Sequence, residues 1–446
     1  MKSQRRLRQD AARIWNAALR AVDPESAIRK MVKREGSTLR IQGTPFDLKK
    51  TGKVWILGAG KAAAPMGRAA ERILGRYLSG GILATKYGHS LPLKTLDIVE
   101  AGHPLPDVNS IASAERMLGL AKTGIKPEDL VLCLLSGGAS SLLVSPAEGV
   151  TLQDKLACTR ILLENGADIY ELNAVRKHLS RIKGGGLARL LAPARIVVLI
   201  LSDVVGDDPG TIASGPLAPD STTFGGCMET FRKLGVLDRI PPAVRLRFEL
   251  GAAGQIEETP KEGDRVFREI ESFIIGSNSQ ACTAAAQTAK RLGYHAQVLT
   301  SRLEGDTGEA ARFHMSVAAE IAARQRPVRR PACVISGGET TVKLRGTGKG
   351  GRNQEFALHC VRPLAGLTAP CLVASLGTDG TDGPTEAAGA VADNSTLTRC
   401  IKYGARFLEE SLGDNDSYTF FNRLGDLIVT GPTRTNVMDL HVVLVG

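Results

Sequence analysis

Aromatic side chains are scarce in this sequence, where Phe, Trp and Tyr together make up 4% of the 446 residues. Basic residues outnumber acidic ones by 57 to 46, but they are scattered along the chain. Proteins that bind single-stranded nucleic acid usually combine a basic groove with aromatic rings on which bases stack. The composition therefore argues against a nucleic-acid partner, and the net charge of +11 suits an acidic small-molecule substrate instead.

The sequence also lacks an apolar run long enough to span a bilayer, so no membrane association is expected. Its eight cysteines show no CxxC spacing and lie mostly within apolar runs. Cysteines of this kind are typical of small buried residues in a reducing compartment, not of zinc ligands or disulfides. We therefore expect a cytoplasmic protein, and homo-oligomerisation stays open.

Residues 1–22 are basic and amphipathic, which suits either a mitochondrial transit segment or a helix that docks onto the protein. The apolar residues keep helical spacing and are followed by an Asp-Pro stop signal: Leu7, Ala11, Ile14, Trp15, Ala18, Leu19 and Val22. We predict a docking helix.

The length predicts two or three domains. Apolar runs that end in glycine turns alternate with helical patterns, which predicts two α/β units that each contribute a glycine loop and an acidic loop to one cleft. Residues 225–268 are charged, interrupted by proline and weakly patterned. We expect the inter-domain connection there.

A Ser-Gly-Gly loop follows an apolar run twice, after residues 131–135 and after residues 333–335. Glycine leaves the N–H groups of such a loop unshielded, and nearby hydroxyls also reach an anion. We predict phosphate-binding positions in these loops and in the Gly-Ser-Asn turn after the strand predicted at 272–275: Ser136, Gly137, Gly138, Ser140, Asn278, Ser336, Gly337 and Gly338.

A further glycine loop, Gly58-Ala-Gly60-Lys61-Ala-Ala63, follows the strand predicted at 53–57 and opens a helix, as in G-x-G-x-x-G/A dinucleotide loops. Lys61 would place an ammonium where phosphate charge binds a helix N-terminus, although a solvated surface lysine is the alternative. The acid expected about twenty residues later for a ribose hydroxyl is missing, and the next strand ends at Lys86. This weakens a nicotinamide interpretation, although a lysine there could contact a 2′-phosphate.

Acidic loops follow two other apolar runs, and their carboxylates are Asp203, Asp207 and Asp208 in the first and Asp379 and Asp382 in the second. Mg²⁺ prefers such oxygen ligands and takes one or two carboxylates together with phosphate and water. These five residues are the metal and general-base candidates. The alternative is that they only form turns.

Three more side chains are candidates for substrate binding. His103 lies in a proline-locked loop, where it contacts substrate or only holds the turn. Arg176 and Lys177 could clamp a carboxylate or phosphate, and a solvated basic helix face is the alternative.

The glycine-rich stretch at 346–351 lacks the Lys-Ser/Thr pair of a Walker A loop but delivers Arg352 to a helix start. Its glycines, Gly346, Gly348, Gly350 and Gly351, predict a flexible loop of the kind a closing lid needs. Cationic glycine loops with acidic loops are the parts that phosphoryl transfer requires. The residues alone therefore indicate a phosphate-handling α/β transferase.

Nine motifs, in their order along residues 15–445, resemble those of class II glycerate kinases: GAGKAAAPMG, GHPLPD, LLSGGASSLL, LNAVRKHLSRIKGGGLA, LSDVVGDDPGTIASGPLAPD, IIGSN, ISGGETTV, GKGGRNQE and LGTDGTDGPT. The resemblance implies ATP-dependent, Mg²⁺-requiring phosphorylation of D-glycerate to 2-phosphoglycerate. It also implies a Rossmann-like N-terminal domain (residues 1–250), a smaller C-terminal α/β domain (residues 251–446), largely parallel sheets and an active site between the domains.

By the same resemblance, the catalytic lysine and arginine fall on Lys61 and Arg352. Both are expected at a solvated cleft wall, so that their replacement should hardly affect folding. Members have often been labelled hydroxypyruvate reductases, and the missing ribose-binding acid argues against an NAD(P)H-dependent reductase here. Which acids bind metal, and which glycine loop takes the nucleotide, stay open.

Overall fold

Helices and strands alternate along the computed structural model, which describes residues 2–446. The α-helices are α1 (Gln4–Ala21), α2 (Pro24–Met31), α3 (Ala63–Leu74), α4 (Val108–Thr123), α5 (Ala139–Leu142), α6 (Leu152–Glu164), α7 (Ile169–His178), α8 (Gly186–Leu191), α9 (Phe224–Lys233), α10 (Pro242–Ala252), α11 (Asn278–Arg291), α12 (Thr307–Arg324), α13 (Arg352–Ala365), α14 (Thr396–Cys400), α15 (Phe407–Gly413) and α16 (Ser417–Leu424). The strands are β1 (Val32–Glu35), β2 (Thr38–Ile41), β3 (Thr44–Asp47), β4 (Val54–Ala59), β5 (Leu78–Lys86), β6 (Asp97–Ala101), β7 (Leu130–Ser136), β8 (Arg195–Leu201), β9 (Ile270–Gly276), β10 (His295–Leu303), β11 (Ala332–Gly338), β12 (Cys371–Gly377), β13 (Gly389–Asp393), β14 (Leu427–Ile428) and β15 (Asp439–Val445).

The chain divides into two compact units that are discontinuous in sequence. The central unit contains Ile28–Ile200 and Asp207–Ile275, and the C-terminal unit contains the chain up to Ala27, Leu201–Gly206 and Gly276–Gly446. The predicted first domain, residues 1–250, therefore does not coincide with the central unit at either end. Helix α1 packs in the C-terminal unit, and residues 251–275 stay in the central one.

Helix α1 confirms the predicted docking helix. Leu7, Ala11, Ile14 and Ala18 are fully buried, as their helical spacing requires. The polar side of the helix is tied down as well, because Arg8 donates to the carboxylates of Asp393 and Asp426, each at 2.8 Å. Burial of one helix face is the reason that this N-terminal segment belongs to the C-terminal unit.

The central unit is built on a six-stranded sheet of order β6-β5-β4-β7-β8-β9, beside a three-stranded antiparallel sheet of β1, β2 and β3. Strand β4 pairs in parallel with both β5 and β7. Since Ala59 lies opposite Leu135, the loop after β4 and the Ser-Gly-Gly loop after β7 leave the sheet at the same edge. The predicted α/β class is confirmed for this unit.

The C-terminal unit has a mixed six-stranded sheet of order β10-β11-β15-β12-β13-β14. Strand β15 runs antiparallel between β11 and β12, and only the β10–β11 pair is parallel in this sheet. Asp439, the first residue of β15, lies opposite both Gly338 of β11 and Gly377 of β12. The unit is α/β as predicted, but the closing strand makes its sheet mostly antiparallel.

The prediction that residues 225–268 form an inter-domain connection is wrong, because these residues are part of the central unit. Phe224, Phe231 and Phe248 are buried, and Phe248 meets the other two rings edge-on at centroid distances of 5.6 and 5.0 Å. This cluster joins α9 and α10, and aromatic pairs of this geometry add stability beyond the area that they bury. The charged residues that obscured the pattern lie on the outer faces of these two helices, as Arg232 and Glu249 do.

Two expectations from composition can be compared with the structure directly. All eight cysteines are free thiols in buried positions. Among residues 2–446, no helix combines the length and the apolar character that crossing a bilayer demands.

We predict that Asp129 fixes the start of strand β4. Its carboxylate is 1% exposed and accepts from the amides of Lys53 (2.7 Å) and Lys126 (2.9 Å) and from Trp55 Nε1 (2.9 Å). Because Asp129→Ala leaves these donors unpaired, it should lower the free energy of unfolding by about 3 kcal/mol. Urea denaturation measures the loss, and Glu128→Ala, at the exposed neighbouring position, is the matched control. Equal stability of both variants would contradict this role.

Candidate active site

The loop after strand β4 is held in place by its own amide groups. Four successive N–H groups donate to protein acceptors: Gly60 to Ala84 O (3.0 Å), Lys61 to Gly137 O (2.8 Å), Ala62 to Ser136 Oγ (3.0 Å) and Ala63 to Gly60 O (3.1 Å). The neighbouring strands β5 and β7 therefore fix the loop from both sides. The Ser-Gly-Gly loop after β7 serves here as a partner of the first loop.

This arrangement differs from the phosphate-binding role predicted for Gly58 and Gly60. An N–H group that already donates within the protein has no proton left for a phosphate oxygen. The two glycines serve close packing instead, since a Cβ on Gly60 would lie 2.1 Å from Ser136 Oγ and one on Gly58 would lie 2.9 Å from Leu134 O. What the loop presents is the half-buried side chain of Lys61.

The second glycine of the β7 loop brings three predicted site residues together. Gly138 has φ 85°, a left-handed conformation that favours glycine. A Cβ at this position would lie 2.8 Å from His103 Cδ2 and 3.5 Å from Lys61 Cγ. His103, Lys61 and the Ser-Gly-Gly loop are therefore neighbours at one edge of the central sheet.

A cavity of about 240 Å³ adjoins this loop, with Gly138 and His103 in its wall. Lys155, Arg176 and Lys183 also line it, and we call it the cationic cavity. The ammonium of Lys155 donates to Leu179 O (2.8 Å) and that of Lys183 to Ser140 O (2.6 Å). In the described part of the chain, no Asp or Glu lines this cavity.

The structure separates two cations that the sequence placed together. Arg176 lines the cationic cavity, whereas the adjacent Lys177 donates to the carboxylate of Asp220 at 3.1 Å. Adjacent residues on a helix point about 100° apart, so they do not face one ligand. Of this predicted pair, Arg176 lines the cavity, and Lys177 forms a buried ion pair.

The second Ser-Gly-Gly loop occupies the matching place in the C-terminal unit but is also filled by protein. Ser336 is fully buried, and its hydroxyl lies 2.6 Å from His314 Nε2. Asn278 lies so close to Gly337 that a Cβ there would be 1.8 Å from its Oδ1. The Asn278 amide donates to the carbonyls of Val437 and Asp439, both at 2.8 Å. These residues hold the start of β15 in place.

Arg352 is held by two carboxylates at the start of helix α13. Its Nε donates to Asp439 Oδ2 (2.5 Å), its Nη2 to Asp439 Oδ1 (3.2 Å) and its Nη1 to Glu339 Oε1 (2.6 Å). Asn353 also donates to Asp439, at 2.9 Å, and its backbone amide donates to Asp382 at 3.0 Å. We call Glu339, Arg352, Asn353, Asp382 and Asp439 the Arg352 cluster.

Burial sets the electrostatics of this cluster. It raises the pKa of Asp439 to about 7, although the guanidinium of Arg352 lowers that pKa. Burial lowers the pKa of Arg352, but attraction and hydrogen bonding by Asp439 outweigh it and raise that pKa. Arg352 is therefore a permanent cation whose orientation depends on a carboxylate removed from water.

The glycine loop before Arg352 packs closely and does not have the open surroundings that a flexible lid would show. A Cβ on Gly346 would lie 2.1 Å from Asp414 Oδ1, and one on Gly350 would lie 2.1 Å from Ser417 Oγ. The amide of Thr347 donates to Asp414 Oδ1 at 2.8 Å. The glycines therefore allow two backbone segments to approach each other, and the predicted flexibility is not what the structure shows.

The five predicted acidic residues do not form one metal cluster. Among residues 2–446, no group of three His, Cys, Asp or Glu side chains could hold a metal ion. Asp382 accepts from the amides of Asn353 and Gln354 and is 3% exposed. Asp208 accepts from Gly210 N (3.1 Å) and from the hydroxyl of Thr211 (2.6 Å). These two acids have the turn- and helix-stabilising roles that the sequence left open.

Asp203 and Asp379 remain half-buried in the C-terminal unit. Asn436 donates to Asp203 Oδ2 at 3.3 Å, and the amide of Thr433 donates to the carbonyl of Asp379 at 3.3 Å. One short segment before β15 therefore contacts both acidic loops. Asp207 lies in the central unit and has φ 60°.

Sequence reasoning missed Asp439, Lys155 and Lys183. Asp439 is the only acid at the start of an apolar final strand, which is an unusual place for a carboxylate without a partner. Lys155 falls on the apolar stripe of helix α6, three residues from both Leu152 and Cys158. A cation on the buried face of an amphipathic helix is the signal that could have identified it.

Family models match both halves of the chain. One described as a domain of unknown function, DUF4147, covers residues 10–249, and the MOFRL family covers residues 332–439. Glycerate 2-kinase from Pyrococcus horikoshii is 41% identical over 98% of this chain and 97% of that protein. An Agrobacterium vitis protein provisionally named hydroxypyruvate reductase is also 41% identical, over 98% of this chain and 94% of its own length. The crystal structure of a glycerate kinase from Thermotoga maritima superposes with a TM-score of 0.86 at 39% identity, covering 99% of both chains.

The contacts of the Arg352 cluster predict that replacing Arg352 destabilises the protein, which the sequence did not suggest. Arg352→Ala would leave the fully buried carboxylate of Asp439 without its cation. Breaking such a pair from one side should lower the free energy of unfolding by about 3 to 5 kcal/mol. Adding Asp439→Asn to Arg352→Ala removes the buried charge and should restore part of this loss.

Urea denaturation of the parent, the single variant and the double variant tests the coupling. Arg345→Ala, which removes an exposed arginine from the same unit, is the control. If Arg352→Ala were as stable as the parent, the arginine would be the solvated residue that the sequence predicted.

Proposed function

The chain belongs to the glycerate kinase family, and from this membership we propose that it transfers the terminal phosphoryl group of ATP to the 2-hydroxyl of D-glycerate, giving ADP and 2-phosphoglycerate. It is a phosphotransferase whose partners are two small molecules. The eight free, buried cysteines suit a reducing compartment, which supports the cytoplasm as its location.

The observation that carries the proposal is the position of Lys61. The amide of Lys61 is fixed by Gly137 O, while its side chain starts next to Gly138 in the wall of the cationic cavity. An ammonium held at a site of phosphoryl transfer neutralises charge that builds up on the phosphoryl oxygens. Full-length similarity to a relative named glycerate 2-kinase supports this role.

Arg352 is the second cation that we assign to catalysis. Of its five N–H donors, three bind Asp439 and Glu339, which leaves two for a ligand. Fixing a guanidinium before the ligand arrives avoids an ordering cost at the moment of reaction. Arg352 therefore acts as a preoriented cation and not as the tip of a closing loop.

Mg²⁺ would accompany the nucleotide, and Asp203 and Asp379 are the residues that would hold it. Mg²⁺ usually takes one or two protein carboxylates, with phosphate and water completing its octahedral shell. Two half-buried acids contacted by one segment, at residues 433–436, meet that requirement. The ion, when bound, would shield the nucleotide phosphates from repelling the attacking hydroxyl.

The structure argues against the alternative of an NAD(P)H-dependent hydroxypyruvate reductase. Dinucleotide loops bind pyrophosphate through free amides at the helix start. Here the amides of residues 60–63 donate to protein acceptors, and strand β5 ends in Lys86 instead of a ribose-binding acid. A kinase therefore fits this loop better than a dehydrogenase.

The reaction predicts a product that one coupled assay identifies. With Mg-ATP and D-glycerate, the protein should make 2-phosphoglycerate, which enolase consumes without added phosphoglycerate mutase. A signal that requires the mutase would show the 3-isomer and contradict the proposal. Purified protein should also fail to oxidise NADH or NADPH with hydroxypyruvate.

A second prediction concerns the Lys61 ammonium. Lys61→Ala should lower kcat by roughly two orders of magnitude or more, the scale found for single electrostatic groups. Lys61→Arg should fail as well, because a broad planar guanidinium does not replace a compact ammonium. Lys94→Ala, which removes an exposed lysine from the same unit, is the control. Steady-state kinetics measures the effect, and thermal melts check that the variants are folded. If kcat of Lys61→Ala stayed near that of the parent, Lys61 would be a surface residue without a catalytic role.

A further inference from the structure

We propose that the cationic cavity of the central unit is the subsite for the substrate acid, in which Lys155, Arg176 and Lys183 bind the carboxylate of a small 2-hydroxy acid. The assignment rests on the proposed function for the identity of that acid, D-glycerate. It adds two lysines to the candidates for substrate binding and excludes Lys177.

The charge of the cavity is the first argument. Three cationic side chains line about 240 Å³, and the lining contains no Asp or Glu in the described part of the chain. The ammonium groups of Lys155 and Lys183 donate only to backbone carbonyls, Leu179 O and Ser140 O. A carbonyl satisfies a hydrogen bond but does not neutralise a charge, so the three cations repel one another until an anion arrives.

Burial lowers the pKa of all three groups, and repulsion by neighbouring cations adds to the shift of the two lysines. Burial is the largest cause that lowers the pKa of Lys155 to about 7, and the charge of Arg176 contributes to the same shift. The pKa of Lys183 is lowered by burial and then by Lys155 and Arg176. Burial lowers the pKa of Arg176 without any offset from a carboxylate. A bound anion would reverse these shifts.

Lys177 provides a comparison, because it is a buried cation of the same helix as Arg176 that does not line the cavity. Its ammonium is buried next to Arg176 in sequence and is paired with Asp220 at 3.1 Å. Buried charges are costly unless they are paired. Lys177 is paired with Asp220, whereas the lining of the cationic cavity has no Asp or Glu within residues 2–446, and this contrast indicates that the cavity is kept for an anionic ligand.

The size and walls of the cavity select the kind of anion. About 240 Å³ is below the usual range for drug-sized ligands, so a nucleotide does not fit, whereas a three-carbon acid does. Leu105, Val144 and Leu156 supply apolar wall, which suits a short carbon chain. The hydroxyls of Ser140 and Ser141 and the ring of His103 are within the same lining and can hydrogen-bond substrate hydroxyls.

The position of the cavity connects it to the proposed chemistry. Gly138 is part of its wall, and a Cβ on Gly138 would lie 3.5 Å from Lys61 Cγ. An acid whose carboxylate is held by the three cations would therefore be bound next to the residue that carries the catalytic ammonium. The cavity determines which acid is bound, and Lys61 acts on the phosphoryl group that it receives.

Arg176→Met is the variant that tests this assignment. It should raise KM for D-glycerate by a factor of about 10 to 100, the effect of losing one charged hydrogen bond, and leave KM for ATP unchanged. Because Arg176 lacks an ion-pair partner in the described residues, the ligand-free protein should melt at the same temperature as the parent or higher. Arg176→Lys should recover part of the affinity. Arg160→Met, which removes an exposed cation from helix α6, should change none of these values.

Calorimetric titration with D-glycerate alone gives a readout that needs no turnover. The parent should bind D-glycerate and the similar acid lactate but not glycerol, which lacks the carboxylate, and Arg176→Met and Lys155→Met should lose this binding. A rise in KM for ATP alone, unchanged binding in both variants, or binding of inorganic phosphate in place of D-glycerate would overturn the assignment. If the parent bound D-glycerate in this way but made no phosphoglycerate, the subsite would stand and the proposed kinase activity would fail.

Discussion

A guanidinium held by a carboxylate that the sheet has removed from water is the constraint on which the C-terminal unit depends. Asp439 begins strand β15 between the ends of β11 and β12, where the backbone on both sides belongs to glycine. Its carboxylate binds Arg352 through two nitrogens and also accepts from Asn353. The first turn of helix α13 is thereby tied to the final strand, and the direction of the arginine follows from that connection.

Whereas the C-terminal unit orients Arg352 with carboxylates, the central unit orients its cations Lys155 and Lys183 with backbone carbonyls. Its glycine loops use their amides on each other, as when Lys61 N–H donates to Gly137 O, so the backbone presents little to a ligand. Charge is presented by side chains instead, Lys61 on the loop and the three cations of the cationic cavity. The C-terminal unit thus holds Arg352 with carboxylates, while the lining of the cationic cavity contains no Asp or Glu among the described residues. Unpaired buried charge lowers stability, which is the usual cost of a site prepared for an anionic ligand.

Glycine was the residue type whose role sequence reasoning judged least well. Glycine content suggested anion-binding amides near residue 60 and a mobile lid near residue 350, since both uses require a residue without a side chain. The structure shows a third use, the close approach of two backbones, at Gly60 against Ser136 and at Gly350 against Ser417. All three uses appear in a sequence only as glycine. They differ in which atoms of the folded protein or its ligand lie next to that glycine.

The sequence by itself determined the features that depend on near neighbours. Helix α1 forms where its apolar spacing and the Asp-Pro stop signal predicted, and it buries the predicted face. Uncharged runs before glycine turns became buried strands, and the order of the motifs identified the family. Local periodicity and capping are written within a few residues, so they can be recognised without knowing the fold.

Tertiary structure alone decided which charges meet. Arg352 and Asp439 are 87 positions apart, and the register of β15 between β11 and β12 brings them together. The gathering of Lys155, Arg176 and Lys183 around one cavity, and the diversion of Lys177 to Asp220, likewise depend on how helices pack. An ion pair or a shared cavity depends on distance in space, and a sequence records that distance only where the chain is locally periodic.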